Sequence, residues 1–380
     1  MLQFLLSPDF PLWGELVLLA LASFALSIIG LWGGVLAFRR IGWLDRPHLY
    51  PHERGRAPIP YGLGIILPAV FTLVMGLMLS PETPKLPVLL AFGLLVSIVS
   101  FPDDLDTIKK SPFKVPPIIR LAFQVAVGVV IGFTSIKIGY ISGLFGGIAH
   151  IDDYVLSFFG YNLHIVAIAF TVFWYVLVFN ALNWSDGVAG LTSGIALIAL
   201  AVIALLTTRL YLSDTTLPAQ ENSLFVFRSL AALVPAVIVI GWADMRRRIV
   251  MGDSGTMFLA FVIASLAIVS GGKVATVATV LGVYLVDAMY VIFMRIASGQ
   301  NPLKGDITHH LHFRLRALGL RDSDIRLVVF SLSAAFGVAA IFLDRIGKVV
   351  LFLLLVLIVF SITRIVRAWQ GKTRDGGMKE

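Results

Sequence analysis

No cysteine occurs in the 380 residues. That excludes disulfides, thiolate metal sites and cysteine nucleophiles, so any metal here is expected to be a hard cation held by oxygen. Charge is scarce as well: 14% of residues are Asp, Glu, Lys or Arg against 58% hydrophobic, and mean hydropathy is +0.93. These values lie far from those of soluble domains and indicate a polytopic integral membrane protein. The first apolar stretch, 14–38, lacks a basic leader, since Asp9 and Glu15 flank its start. It is too long for a signal-peptide core and reads as a retained span. No internal repeat is evident.

A helix needs about 20 apolar residues to cross the hydrocarbon core. Candidate stretches fall at 14–38, 60–80, 86–101, 115–135, 163–182, 187–207, 225–242, 256–270, 273–297, 326–343 and 347–367, about eleven spans in all. Basic residues concentrate after the odd-numbered spans, among them Arg39, Arg40, Arg54 and Arg56, then Lys109 and Lys110, then Arg246, Arg247 and Arg248, then Arg314 and Arg316, and finally Arg364 and Arg367. The positive-inside bias then puts the N-terminus outside and the C-terminus in the cytoplasm. The expected organisation is one transmembrane domain over 1–370, with loops on the cytoplasmic face at 39–58, 102–114, 180–187, 243–255 and 298–325, followed by a cytoplasmic tail at 371–380. The outward segment 136–162 is expected to form a small hairpin or an interfacial helix.

Four polar stretches interrupt the apolar chain, and the span count puts them all on the cytoplasmic side: FPDDLD (101–106), NALNWSDG (180–187), MGDSG (251–255) and GDITHHLHFR (305–314). Asp103 and Asp104 repel one another, so a site that keeps both ionised must supply a cation, either a metal or the lysines at 109 and 110. A solvated turn would explain them too, although acidic residues at a membrane edge are costly. Asn180, Asn183 and Asp186 recur at three-residue spacing before Gly187, which gathers two amides and a carboxylate on one helical face. They suit a nucleotide base, a sugar or metal-bound water, or else they cap the next helix. Asp253 between two glycines at a helix start suits a metal while the neighbouring N–H groups approach phosphate oxygens. His309 and His312 share a helical face beside His310 and Arg314, and can donate to phosphate, act as acid or base, or ligate a metal. A basic helix lying on anionic lipid would explain the arginines but not three histidines.

In order, spacing and sidedness these motifs resemble the polyprenyl-phosphate N-acetylhexosamine-1-phosphate transferases. The resemblance runs from RGRAPIPYGLG (54–64) to the His309 loop. It implies an all-α membrane-embedded enzyme that uses magnesium, or manganese, to move a sugar 1-phosphate from a UDP-N-acetylhexosamine to undecaprenyl phosphate, releasing UMP. Residue by residue, Asp103 and Asp104 are similar to the family's aspartate pair near the lipid phosphate and the metal. Asn183 and Asp186, with Asn180 and Gly187, are similar to its nucleotide-site residues. Asp253 resembles its magnesium ligand, with Asp104 sharing the ion, and His309 and His312 resemble the histidines at the diphosphate. His310, Lys109, Arg247 and Arg314 would add substrate contacts and positive potential, and Arg56, Gly62 and Gly64 would line the cleft.

The chain departs from the family pattern at Ala189, where a second aspartate is usual, at Val250, where an aromatic is usual, and at Leu311 within the histidine motif. A contact to the uracil edge and a stacking surface are thereby missing or replaced. Asp287, Arg295 and Asp306 favour the N-acetylglucosamine-type branch, while HFR at 312–314 keeps the muramoyl-pentapeptide branch as the alternative. The partners implied are the lipid bilayer of the bacterial inner membrane and the two substrates, with no nucleic acid, and a homodimer is allowed. An ion-coupled transporter is the competing class. It would place its carboxylates near mid-membrane in repeated halves, whereas here they cluster at one face.

Overall fold

The computed structural model describes residues 11–49, 55–77, 84–109, 115–143, 147–158, 161–271, 274–300 and 310–376. Among them run thirteen α-helices: α1 Leu12–Ile41, α2 Ile66–Gly76, α3 Lys85–Thr107, α4 Pro117–Gly132, α5 Ile165–Ser185, α6 Leu191–Ser213, α7 Leu217–Met245, α8 Gly252–Val269, α9 Val274–Val280, α10 Gly282–Ala297, α11 Leu311–Ala317, α12 Asp322–Phe342 and α13 Arg345–Gly376. Each of the eleven apolar stretches holds a helix among its described residues. Eight helices, namely α1, α3, α5, α6, α7, α8, α12 and α13, are long and apolar enough to cross a membrane. α9 and α10 meet the same criterion as a pair bent by 74°, and the shorter apolar helices Leu63–Gly76 and α4 account for the remaining two stretches. The protein is thus an all-α polytopic membrane protein. The segment expected to be a hairpin or an interfacial helix forms two short antiparallel hairpins, β1 Tyr140–Ser142 with β2 Ile148–His150, and β3 Leu156–Phe158 with β4 Tyr161–Leu163.

The helices are organised around α8, nearly all of whose residues are buried. Small residues let its neighbours approach closely, as membrane helix packing requires. A Cβ at Gly64 would lie 2.6 Å from the Gly255 Cα, so the turn before α2 touches the α8 backbone directly. Without water in the hydrocarbon core, side-chain polar groups must be satisfied within the protein. Trp174 on α5 donates to the Ala264 carbonyl at 3.1 Å, and the Tyr175 and Ser265 hydroxyls bond at 2.7 Å. On the other flank Arg228 on α7 grips Glu15 on α1 through two bonds of 2.7 and 3.0 Å.

Two helix boundaries differ from the sequence expectation, and both bear on the site. α3 continues through Pro102 to Thr107, which puts Asp103 and Asp104 on a helix rather than in the loop at 102–114. A proline removes one N–H and normally ends a helix near itself. Here the next turn is held by tertiary contacts of Asp104 described below. α8 starts at Gly252, so Asp253 lies in its first turn.

Candidate active site

The first element of the site is a carboxylate clamped on a helix start. Asp104 is 1% exposed. Its Oδ1 accepts the Asp253 backbone N–H at 2.6 Å and its Oδ2 accepts the Ser254 N–H at 3.1 Å. These are free donors of the first turn of α8, where the helix dipole also favours negative charge. Glycines make the approach possible. Gly252 has φ +79, and a Cβ there would stand 2.4 Å from Asp104 Oδ1. On the other side Gly62, with φ +85, packs against the Asp104 side chain. The segment carrying Gly62 is itself fastened to the loop before α8, since Gly62 N–H donates to the Val250 carbonyl at 3.0 Å and Val250 N–H to Pro60 at 2.8 Å.

With Asp104 so occupied, its neighbour Asp103 turns the other way. Asp103 Oδ2 and Asp253 Oδ2 lie 3.5 and 3.6 Å from the same nitrogen of Arg120, one turn into α4. Asn183 Nδ2 donates to the second Asp253 oxygen at 3.1 Å, and Asn180 Nδ2 donates to Gln124 at 2.8 Å. Asp186 follows α5, and burial, then the carboxylates of Asp244 and Asp253, push its pKa up to about 8. Its loop is held from three sides: Gly190 N–H donates to Asp244 at 2.7 Å, Arg326 to the Ala189 carbonyl at 2.9 Å, and Arg316 to the Gly187 carbonyl at 3.4 Å. Ala189 therefore contributes through its carbonyl a contact no side chain was expected to make.

These groups open into a cleft of about 550 Å³ between α4, α5, α10 and α11, whose lining includes Arg120, Asn183, Asp186, Arg295, His310 and His312. The two imidazoles stack at 6.0 Å and 5°, and Trp184 stacks on His310 at 6.2 Å. His312 is 2% exposed, and neither ring nitrogen has a hydrogen-bond partner among the described residues. Burial, then the neighbouring His310, holds its pKa down at about 3, so it is a neutral imidazole at physiological pH. Gly187 lies against it, and a Cβ at that position would fall 1.9 Å from His312 Nε2.

Of the expected site residues, Asn180, Asn183, Asp186, Gly187, His310 and His312 line this cleft together, and Asp103 and Asp253 reach it through Arg120. His309 lies outside the described residues, as do Arg54 and Asp306. Four expected substrate cations stand elsewhere. Arg56 pairs with Asp45, Arg247 with Asp322, and the exposed Lys109 approaches Asp106 at 3.9 Å. Arg314, 7% exposed, binds Asp287 and Thr363 and covers the Tyr290 ring. Sequence order reveals a cation but not which carboxylate takes it. Arg120, Gln124, Trp184 and Asp244 were missed, although a lone arginine inside an apolar helix is the kind of costly group that marks a site.

The donor set suits a hard divalent cation. Two carboxylate oxygens face one guanidinium nitrogen, so negative charge is already gathered around a single cationic point. Among the described residues no three His, Cys, Asp or Glu side chains form a full cage. An arrangement with few protein ligands is the one magnesium uses when waters and substrate phosphates complete its shell.

Comparison with known proteins adds to this geometry. Residues 86–271 match the model of the family described as glycosyl transferase family 4. The undecaprenyl-phosphate alpha-N-acetylglucosaminyl 1-phosphate transferase of Escherichia coli K12 is 26% identical over 343 residues, covering 87% of this chain and 86% of that protein. The same-named protein of Salmonella typhi is 24% identical over 285 residues, 73% of this chain and 70% of its own length. A probable undecaprenyl-phosphate N-acetylglucosaminyl 1-phosphate transferase of Bacillus subtilis is 27% identical over 249 residues, 64% of this chain and 63% of its own. The matched segment holds Asp103, Asp104, Arg120, Asn183, Asp186 and Asp253, and over it the chain is similar to glycosyl transferase family 4.

Proposed function

We propose that the protein transfers an N-acetylhexosamine 1-phosphate, foremost N-acetylglucosamine 1-phosphate, from a UDP-sugar to undecaprenyl phosphate and releases UMP. The observation that carries this reading is the convergence of Asp103 and Asp253 on Arg120, at the edge of a cleft that also holds Asn183, Asp186 and two stacked histidines. The names of the relatives support both the lipid acceptor and the sugar phosphate. The basic loops after alternate spans support a cleft facing the cytoplasm of a bacterial inner membrane.

In the reaction an oxygen of the lipid phosphate attacks the β-phosphorus, a new P–O bond forms, and the bond to the bridging oxygen breaks with UMP departing. Arg120 holds the attacking phosphate against Asp103 and Asp253. Asn183 and Asp186 orient the nucleotide side, and the His310 and His312 edges meet the diphosphate. We assign magnesium to Asp253 with Asp103, in preference to Asp104, because both Asp104 oxygens already accept backbone N–H groups. Bound there, the ion would supply positive charge to the diphosphate oxygens as charge develops on the leaving phosphate. Positioning and charge neutralisation are the main contributions, since a phosphate acceptor is already ionised near neutral pH.

The test is transfer of radiolabel from UDP-N-acetylglucosamine to undecaprenyl phosphate by detergent-purified protein, with and without magnesium, beside Asp253→Asn. Magnesium-dependent labelled lipid that the variant fails to make is the expected result. Labelling only from another UDP-amino sugar would change the donor, and no labelling from any UDP-sugar would overturn the reading.

A further inference from the structure

α10 carries a carboxylate with no part in the chemistry above. Asp287 is fully buried, six residues after the break that bends α9 against α10. It meets three donors. Arg314 binds Oδ1, while Oδ2 receives the Leu311 backbone N–H at 3.0 Å and the His310 Nδ1 at 2.9 Å. Arg314 also reaches Thr363 on α13. One carboxylate thus fixes the start of α11 and the ring of a cleft histidine. A carboxylate paired with a guanidinium only accepts hydrogen bonds. The proton between Asp287 and His310 therefore sits on Nδ1, and Nε2 is left as the ring atom available to the cleft. Trp184 and His312 both stack on the ring, at 6.2 and 6.0 Å between centroids.

We infer that Asp287 is a positioning residue that holds the His310 Nδ1–H toward itself and so presents Nε2 to the substrate. In that tautomer Nε2 is an acceptor and takes an N–H or O–H of the amino sugar beside the diphosphate. The logic is that of a carboxylate orienting a catalytic imidazole, in which the wrong tautomer costs rate although the fold survives. The inference deepens the transferase reading and rests on it for its kinetic consequence, but not for the tautomer itself.

The first measurement is nitrogen NMR of the full chain in detergent, with 15N-labelled histidine, at an alkaline pH where the ring is neutral. His310→Gln identifies the resonance. The wild type should show a protonated Nδ1 and an unprotonated Nε2. Asp287→Ala combined with Arg314→Ala removes both charges, so neither is left buried alone, and should release the ring to the Nε2–H form. An unchanged tautomer, or Nε2–H in the wild type, would overturn the inference whether or not transfer activity is found. Where the wild type is active, the double variant should lose kcat by about 10²-fold. Adding His310→Gln to it should cost less than about threefold more, because the residues act as one unit. Multiplicative losses would show that Asp287 works independently of His310. KM for the UDP-sugar should rise selectively, and a rise confined to lipid phosphate would overturn the assignment of the donor group. Wild-type protein inert with every UDP-sugar would remove the transferase reading while leaving the tautomer result intact.

Discussion

Asp104 Oδ1 accepts the backbone N–H of Asp253 at 2.6 Å across 149 residues of sequence. Adjacent aspartates thereby take separate tasks: Asp104 secures α8 to α3, and Asp103 faces Arg120 at the edge of the cleft. Asp104→Ala leaves the first turn of α8 without its acceptor. It should lower stability by about 2 kcal/mol, at the upper end for a lost helix cap, and lose activity with it. Asp103→Asn should leave the thermal midpoint in detergent within about 2 °C of wild type, while cutting kcat by about 10²-fold. Equal loss of stability in both variants would contradict this division.

Arg120 stands where a divalent cation would compete for the same two carboxylates. Arg120→Gln should therefore have opposite effects on metal and rate. Removing a positive charge within 4 Å of both carboxylates should tighten magnesium by about tenfold, or ~1.4 kcal/mol, so half-maximal activity comes at a lower concentration. The maximal rate should fall because the attacking phosphate loses its counter-charge. A magnesium titration at saturating substrates reads both quantities, and an unchanged or weakened metal requirement would refute the arrangement.

His312 and Asp186 give the stability opposite pH dependences. The folded His312 pKa, about 3, lies below the ordinary value of about 6.5. The unfolded chain then binds the extra proton as pH falls through 6.5, and stability drops by about 1.4 kcal/mol per unit down to about 3. Asp186, at about 8, acts the other way, because its folded form keeps a proton that the unfolded form releases above about 4. The wild-type curve mixes the two. Thermal midpoints of wild type and His312→Gln between pH 7.5 and 5 should therefore converge as pH falls, the wild type losing more. Parallel curves would mean that His312 takes up a proton inside the fold.

The membrane spans were legible because hydropathy over some twenty residues is a local property, and Asn180 and Asn183 on α5, with Asp186 just past its end, line one cleft. The partners of charged groups were not legible. Arg120, alone in an apolar helix, becomes significant only when α3 and α8 bring Asp103 and Asp253 beside it. Arg314 and Arg247, adjacent to motifs in sequence, are taken by Asp287 and Asp322, which lie in other helices. The continuation of α3 past Pro102 was hidden for the same reason, since what holds the last turn is the N-terminus of α8.

Gly187 is the position where the least change in sequence should do the most local damage. It has no unusual backbone requirement, and substitution there acts through space alone, because a Cβ would coincide with His312 Nε2 at 1.9 Å. The ring has little room to retreat, with His310 stacked on one face and Phe313 at 4.2 Å. Gly187→Ala should therefore displace His312 into the cleft and lower kcat by at least about tenfold. The stability cost should be about 1–3 kcal/mol, as for an overpacked core site. His312→Ala opens the space that the new methyl needs. In that background Gly187→Ala should cost almost no further stability, a coupling that a thermal double-mutant cycle measures directly. Additive losses would mean that Gly187 is required for the turn itself rather than for room beside the histidine.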